Sequence, residues 1–222
     1  MQQIIVSNEG IIEYEKAWDK QHLLFNEALV RKSEKSTTKQ HLLLCEHPHV
    51  YTLGNSGKVG NMLVNDEFLN KIGAKFVKID RGGDVTYHGY GQLVGYPILD
   101  IEPLGLGLKE YIDRLEQSII DTVAEYGIVA DRLAGATGVW IDPHGVNARK
   151  IAAIGVRASR WITMHGFGLN VNTDLKYFSY INPCGFVDKG VTSIEKELGT
   201  KVDFEELKVR YVKNFKRIFD FE

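Results

Sequence analysis

The chain of 222 residues is poor in cysteine, with Cys45 and Cys184 alone. Two thiols in a chain this long do not form the bridge framework of a small secreted scaffold, and a reducing cytoplasm is the expected location. The opening MQQIIVSNEG has no basic segment leading into an apolar run, so no export signal is expected. Apolar stretches such as residues 151–156 fall far short of the roughly 20 residues that cross a bilayer, and no membrane partner is expected. Charge of either sign is not in surplus: 27 basic against 29 acidic side chains leave a formal charge of −2. That balance gives no global reason to expect nucleic acid, although a local basic patch can hide in it.

What the chain does have is an ordinary core-forming composition, 44% apolar and 25% charged, which excludes wholesale disorder. Its 22 glycines crowd residues 81–107 and 135–190. Glycine at that density points to tight turns or to backbone packed around a ligand. Trp18, Leu24, Phe25 and Leu29 give residues 14–31 one apolar helical face. HLLLCEH reads as a buried strand, followed by extended chain at Val50–Leu53. Asn65 to Glu67 start a helix that Gly73 stops, and strands are expected at residues 75–79 and 92–99. Residues 108–126 form the clearest helix, ended by Gly127. From 138 to 172, β-branched residues broken by glycines read as successive strands. Thr192 to Glu195 have capping-box spacing, and Asp203 opens a last amphipathic helix. With no repeat and no linker, the expectation is one α/β (α+β) domain over residues 1–222. Its sheet is mixed, largely antiparallel and glycine-rich, with flanking helices.

Three segments can carry chemistry. RGGDVTYHGYGQ (residues 81–92) gathers Arg81, Thr86 and His88 among glycines. It reads equally as a solvated hairpin, and it is not a phosphate loop, because no Gly-Lys-Ser/Thr closes it. Cys184 in INPCGF sits on a constrained turn between Pro183 and Gly185, either a reactive thiol or an inert one. Cys45, inside HLLLCEH, has the context of a small buried hydrophobe. Lys150 precedes the apolar IAAIGV, where desolvation favours a free amine, or where a strand-end lysine simply snorkels. Glu46, His47 and His49 are close, and the two histidines would share a strand face. No third ligand stands at a metal-site spacing, so no metal is expected. His165 in MHGFGLN echoes His88, as a site residue or a satisfied core imidazole.

Taken together, RGGDVTYHGYGQLVGYPI, GVW, KIAAIGVR, HGFGLNV, NPCG and VTSIEKELG follow the motif order of the lipoyl(octanoyl) transferases. The chain resembles that family from EHPHVYTLG near Glu46 to about Gly199. The family shares its fold with the catalytic domains of biotin and lipoate protein ligases, and the resemblance implies that fold here. It implies Cys184 as the acyl-thioester nucleophile and Lys150 as its activating partner. It implies a substrate site lined by Arg81, Gly82, Gly83, Asp84, Val85, Thr86, Tyr87 and His88, completed by Ala153, Ile154, Gly155, Gly166, Phe167 and Gly168. The implied donor is octanoyl-acyl carrier protein. The implied acceptors are lipoyl domains of 2-oxoacid dehydrogenase E2 subunits and the glycine cleavage H protein, with no cofactor.

The residues agree with that chemistry. A thioester donor is already activated, so transfer through a thiolate to an amine needs no ATP. Residues 151–154 and 167–169 are expected walls for the acyl chain. Tyr90 stands where the family more often has proline, and Gly168 where it usually has alanine, which touches the shape of the acyl tunnel and not its reacting groups. Arg157 and Arg160 are the candidates for docking an acidic carrier. The competing readings are an ATP-dependent ligase on the same fold, an acyl-binding module without turnover, and a cysteine hydrolase.

Overall fold

The run HLLLC dictates a sheet covered on both faces. Side chains alternate along a strand. Leu42 and Leu44 therefore enter one core and Leu43 and Cys45 the other, all of them buried. The computed structural model describes residues 2–182 and 189–222. In chain order the elements are β1 (Ile4–Ile11), α1 (Tyr14–Ser33), β2 (Gln40–Glu46), β3 (Val50–Leu53), α2 (Asp66–Lys71), β4 (Lys75–Lys78), β5 (Val85–His88) and β6 (Gln92–Ile98). They continue as α3 (Leu108–Ala124), β7 (Asp131–Leu133), β8 (Ala136–Ile141), β9 (Arg149–Ser159), β10 (Ile162–Asn170), β11 (Gly190–Val191), α4 (Ile194–Leu198) and α5 (Phe204–Phe219).

The main sheet runs β1-β2-β6-β10-β9-β8-β7, with β11 beside the start of β9. The pairs β1–β2 and β9–β11 are parallel, and the others are antiparallel. A smaller sheet, β4-β3-β5, stands apart. Helix α1 covers one face of the main sheet through Phe25 and Ala28. Helices α3 and α5 cover the other through Tyr111, Leu115, Tyr211 and Phe215. The expected mixed, largely antiparallel sheet with flanking helices is what forms.

Local signals fall close to their expected places. Asn65 caps α2 by accepting from the Phe68 N–H at 3.0 Å, and Gly73 takes φ +66°. Asp203 caps α5 through the Glu206 N–H at 3.0 Å. The capping box expected from Thr192 to Glu195 is replaced by a simple cap one residue on: Ser193, not Thr192, caps α4 by accepting from the Lys196 N–H. Thr192 instead donates its hydroxyl to Glu197.

Candidate active site

Residues 81–88 are tied down at both ends. The buried Arg81 guanidinium donates to the Thr52 carbonyl (2.8 Å) and hydroxyl (3.0 Å), and to the Gly82 carbonyl (3.0 Å). The Gly82 N–H reaches the Val156 carbonyl on β9 at 3.0 Å, which fastens the loop to the main sheet. Gly83 supplies the left-handed turn with φ +89°. Past it, β5 joins the small sheet and delivers Tyr87 and His88. This is an ordered wall and not the solvated hairpin that the glycines also permitted.

The wall faces β9, β10 and β8 across a cleft of about 610 Å³, within the range typical of small-molecule sites. Arg81, Gly82, Gly83, Asp84, Val85, Thr86, Tyr87, His88, Lys150, Ala153, Ile154, Gly155 and Gly168 all line it. Gly166 and Phe167 do not. They line a small inner chamber of about 50 Å³ with Tyr14, Tyr96 and His165, which shares Arg81, His88 and Ile154 with the cleft. Ile151, Ala152 and Leu169, expected as walls, belong instead to the core under α3 and α5. A hollow of about 760 Å³ between β1 and the end of α1 holds none of these residues.

Lys150 is half-buried near the start of β9. Its Nζ donates to the Thr137 carbonyl at 3.1 Å and lies 4.6 Å from the centroid of the Trp140 ring. Cys184 lies outside the described residues. Lys189, five positions further along the sequence, lines the same cleft as Lys150. Cys45 is buried, and burial pushes its thiol well above the ordinary range.

The inner end is built from buried imidazoles and phenols. The Gln92 amide donates to the Asn170 side chain (2.8 Å) and the Tyr87 carbonyl (3.2 Å), so its oxygen faces His88 Nδ1 at 2.7 Å as acceptor. His88 Nδ1 therefore carries the proton and Nε2 the lone pair. Burial, helped by nearby His47, pushes His88 down to about 3. His165 Nε2 lies 2.8 Å from Asp80 Oδ1, while Arg157 grips the other carboxylate oxygen. Burial lowers His165 to about 4 against the pull of Asp80. Burial works to raise Asp80, but His165 and the Arg157 charge outweigh it, and the carboxyl titrates below its usual value. Arg157 is thus committed to Asp80. Arg160, at the exposed β9–β10 turn with φ +49°, is not part of that pair.

His47 and His49 do not share a face. His47 packs among Tyr14, Tyr96 and His88, and His49 stacks on Tyr177. Among the described residues, no group of three or more His, Cys, Asp or Glu side chains is arranged to hold a metal. No helix among them is long and apolar enough to cross a membrane. Sequence reading missed Tyr14, Tyr96, Thr137, Leu108 and Ile112 as lining residues. Tyr96, inside RGGDVTYHGYGQLVGYPI, and Trp140, inside GVW, carried a motif signal.

Residues 19–216 match the family described as lipoyl protein ligase A/B catalytic domain. The chain belongs to that family. An octanoyltransferase of Bacteroides fragilis is 55% identical over 206 residues, 93% of each chain. One from Flavobacterium johnsoniae is 50% identical over 220 residues, 96% of this chain and 95% of its own. Among solved structures, a bipartite lipoate protein ligase from Thermoplasma acidophilum superposes with a TM-score of 0.72 at 16% identity, covering 100% of this chain and 86% of that one. Biotin protein ligase from Aquifex aeolicus reaches a TM-score of 0.52 at 12% identity, over 99% and 70%. At those identities the likeness is one of fold, and the fold is that of the biotin and lipoate protein ligase catalytic domains.

Proposed function

We propose that the protein moves an octanoyl group from octanoyl-acyl carrier protein to a specific lysine of a lipoyl domain, through a thioester on Cys184. This is the first step of endogenous protein lipoylation. The acceptors are lipoyl domains of 2-oxoacid dehydrogenase E2 subunits and the glycine cleavage H protein. Residues 1–222 act as one catalytic domain in the cytoplasm. The single observation behind this reading is that two glycine-rich segments far apart in sequence meet Lys150 in one cleft whose walls include Val85, Ala153 and Ile154. The octanoyltransferase names of relatives about half identical to this chain support the same reaction.

The chemistry runs in two matched halves. Lys150 takes the Cys184 proton, and the sulfur attacks the donor carbonyl. The carbonyl–sulfur bond to the carrier breaks, and its thiolate leaves with the proton from Lys150. The acceptor amine then attacks the new thioester, Lys150 takes its proton, and Cys184 is released as thiol. No ATP and no cofactor enter. Each methylene buried in the cleft contributes about 0.8 kcal/mol, so two carbons more or fewer change binding roughly tenfold. Arg160 is a docking contact for the acidic carrier.

Intact-protein mass tests the scheme. Mixed with octanoyl-acyl carrier protein and no ATP, the enzyme gains one octanoyl group, and an unmodified lipoyl domain then takes it. Labelling of Cys184→Ala, or a requirement for ATP and magnesium, overturns the thioester route and favours a ligase. Release of free acid in the presence of acceptor indicates a hydrolase.

A further inference from the structure

The wall behind Lys150 is an irregular stretch of β8. Between β7 and β8 the register slips: Val139 opposes Arg132, but Ala136 opposes Leu133, leaving Thr137 and Gly138 as extra residues. A second slip follows against β9, between Val139 and Trp140. Bulges of this kind re-aim backbone and side chains and gather near active sites. Here the Thr137 carbonyl faces the Lys150 amine at 3.1 Å. The Trp140 indole donates back to the Ala136 carbonyl at 2.9 Å, and its ring lies beside the same amine. Gly138 has φ +128°, and a Cβ there would come within 2.5 Å of the Ala152 carbonyl oxygen and 3.3 Å of Lys150 Cε.

What holds the bulge is a carboxylate from another element. Glu116 of α3 accepts from the Gly138 N–H at 2.9 Å, and its second oxygen meets Arg132 Nε at 3.0 Å. Arg132 is itself anchored on the Asp113 carbonyl (2.6 Å) and the Gln117 side chain (3.1 Å). Glu116 is only 5% exposed, between the fully buried Leu115 and Ile119 on the same helix. A buried carboxylate costs more than another leucine would at that position. Burial raises its carboxyl despite the Gly138 N–H and Arg132.

We propose that Glu116 is a positioning residue for Lys150, acting by pinning the Gly138 bulge so that the Thr137 carbonyl and the Trp140 ring receive the amine at the cleft wall. This rests on Lys150 being the proton acceptor of the transfer.

The test compares Glu116→Gln, Glu116→Asp and Glu116→Leu with the parent enzyme by two readouts. One is the pH dependence of Lys150 labelling by acetic anhydride, read by peptide mass. The other is kcat and KM for octanoyl-acyl carrier protein. Gln keeps an acceptor for Gly138, and its labelling curve and kcat stay within about threefold of the parent. Leu removes the acceptor. Losing a carbonyl and a ring face that both favour the ammonium moves the labelling midpoint down by about half a pH unit. Misplacing the amine lowers kcat about tenfold, with KM within about twofold. Asp, one methylene shorter, shows the same changes in reduced degree and serves if the Leu variant does not fold. A folded Leu or Asp variant whose Lys150 labels as in the parent overturns the proposal, whatever its activity. Full transfer by Lys150→Met removes the base role instead, and the labelling curves still report on positioning.

Discussion

The two ends of the cleft use polar groups in opposite ways. At the inner end His88, His165, Tyr14 and Tyr96 are buried, and burial drives each toward its uncharged form. The two histidines, the residue type most often used for proton transfer, are neutral there throughout the physiological range. At the outer end Lys150 meets a carbonyl and an aromatic face, both of which accept positive charge. The inner end shapes a chamber, and on the route proposed above the outer end handles the proton. Residue type alone would have assigned those tasks the other way round.

The largest expected effect breaks the outer end. If Lys150 is the proposed proton acceptor, Lys150→Met lowers transfer by about 10²–10⁴, the range for loss of a general base. Lys150→Arg keeps the charge but cannot give up its proton near neutrality, so it falls nearly as far. Single-turnover transfer from octanoyl-acyl carrier protein to a lipoyl domain measures both. Near-normal transfer by the Arg variant would make Lys150 an electrostatic partner only.

Acid should break the inner end first. His47, His88 and His165 have folded values near 4, 3 and 4, all below their ordinary value. A group whose folded pKa is lowered binds more protons when unfolded, so stability rises with pH across the interval between the two values. The contribution is therefore complete above about pH 6.5 and is lost as pH falls toward 4. Each histidine adds a slope of up to about 1.4 kcal/mol per pH unit, less where the three interact. Urea midpoints measured from pH 7.5 to 4.5 should fall steadily, and His88→Gln should flatten the slope. A flat profile would mean that these imidazoles are charged or solvated in the folded protein.

Much of this site was legible because its parts are contiguous. Residues 81–88 and 153–155 and Lys150 announce themselves as motifs, and their order along the chain identifies the family. What was not legible depends on pairings between distant residues. Nothing in IAAIGV says that Ile151 and Ala152 enter the core while Ala153 and Ile154 line the cleft, because the choice is made by β8 and β10 on either side. The strands β1, β7 and β11 went unread, since the first mixes apolar and charged residues and the others are too short for periodicity. His47 and His49 have strand-face spacing, but Pro48 lies between two strands of different sheets and separates them. The Glu116–Gly138 contact joins residues 22 apart in sequence and exists only because of a register slip.

The smallest expected effect sharpens the boundary between the two ends. Gly168 lines both the cleft and the chamber. A Cβ added there would lie 2.8 Å from Gln92 Oε1 and 3.3 Å from His88 Nδ1. The backbone at Gly168 is not left-handed, so alanine is sterically admissible, and it lowers the entropy of the unfolded chain, a gain of about 0.4–1 kcal/mol. Against that gain, Gln92 has to move, and it is held by His88, Asn170 and the Tyr87 carbonyl together. Loosening a buried hydrogen bond of this kind costs about 1–3 kcal/mol. The second effect wins, and Gly168→Ala should be destabilised by about 1 kcal/mol net, lowering Tm by roughly 2–4 °C for a chain of this length. The methyl also narrows the passage beside His88, so kcat/KM should fall by about threefold for an octanoyl donor and less for a hexanoyl donor. Calorimetry and donor-length kinetics on the single variant decide it. An alanine variant more stable than the parent and equally active on both donors would show that the His88–Gln92 pair yields freely, and the inner end would then be soft where the outer end is fixed.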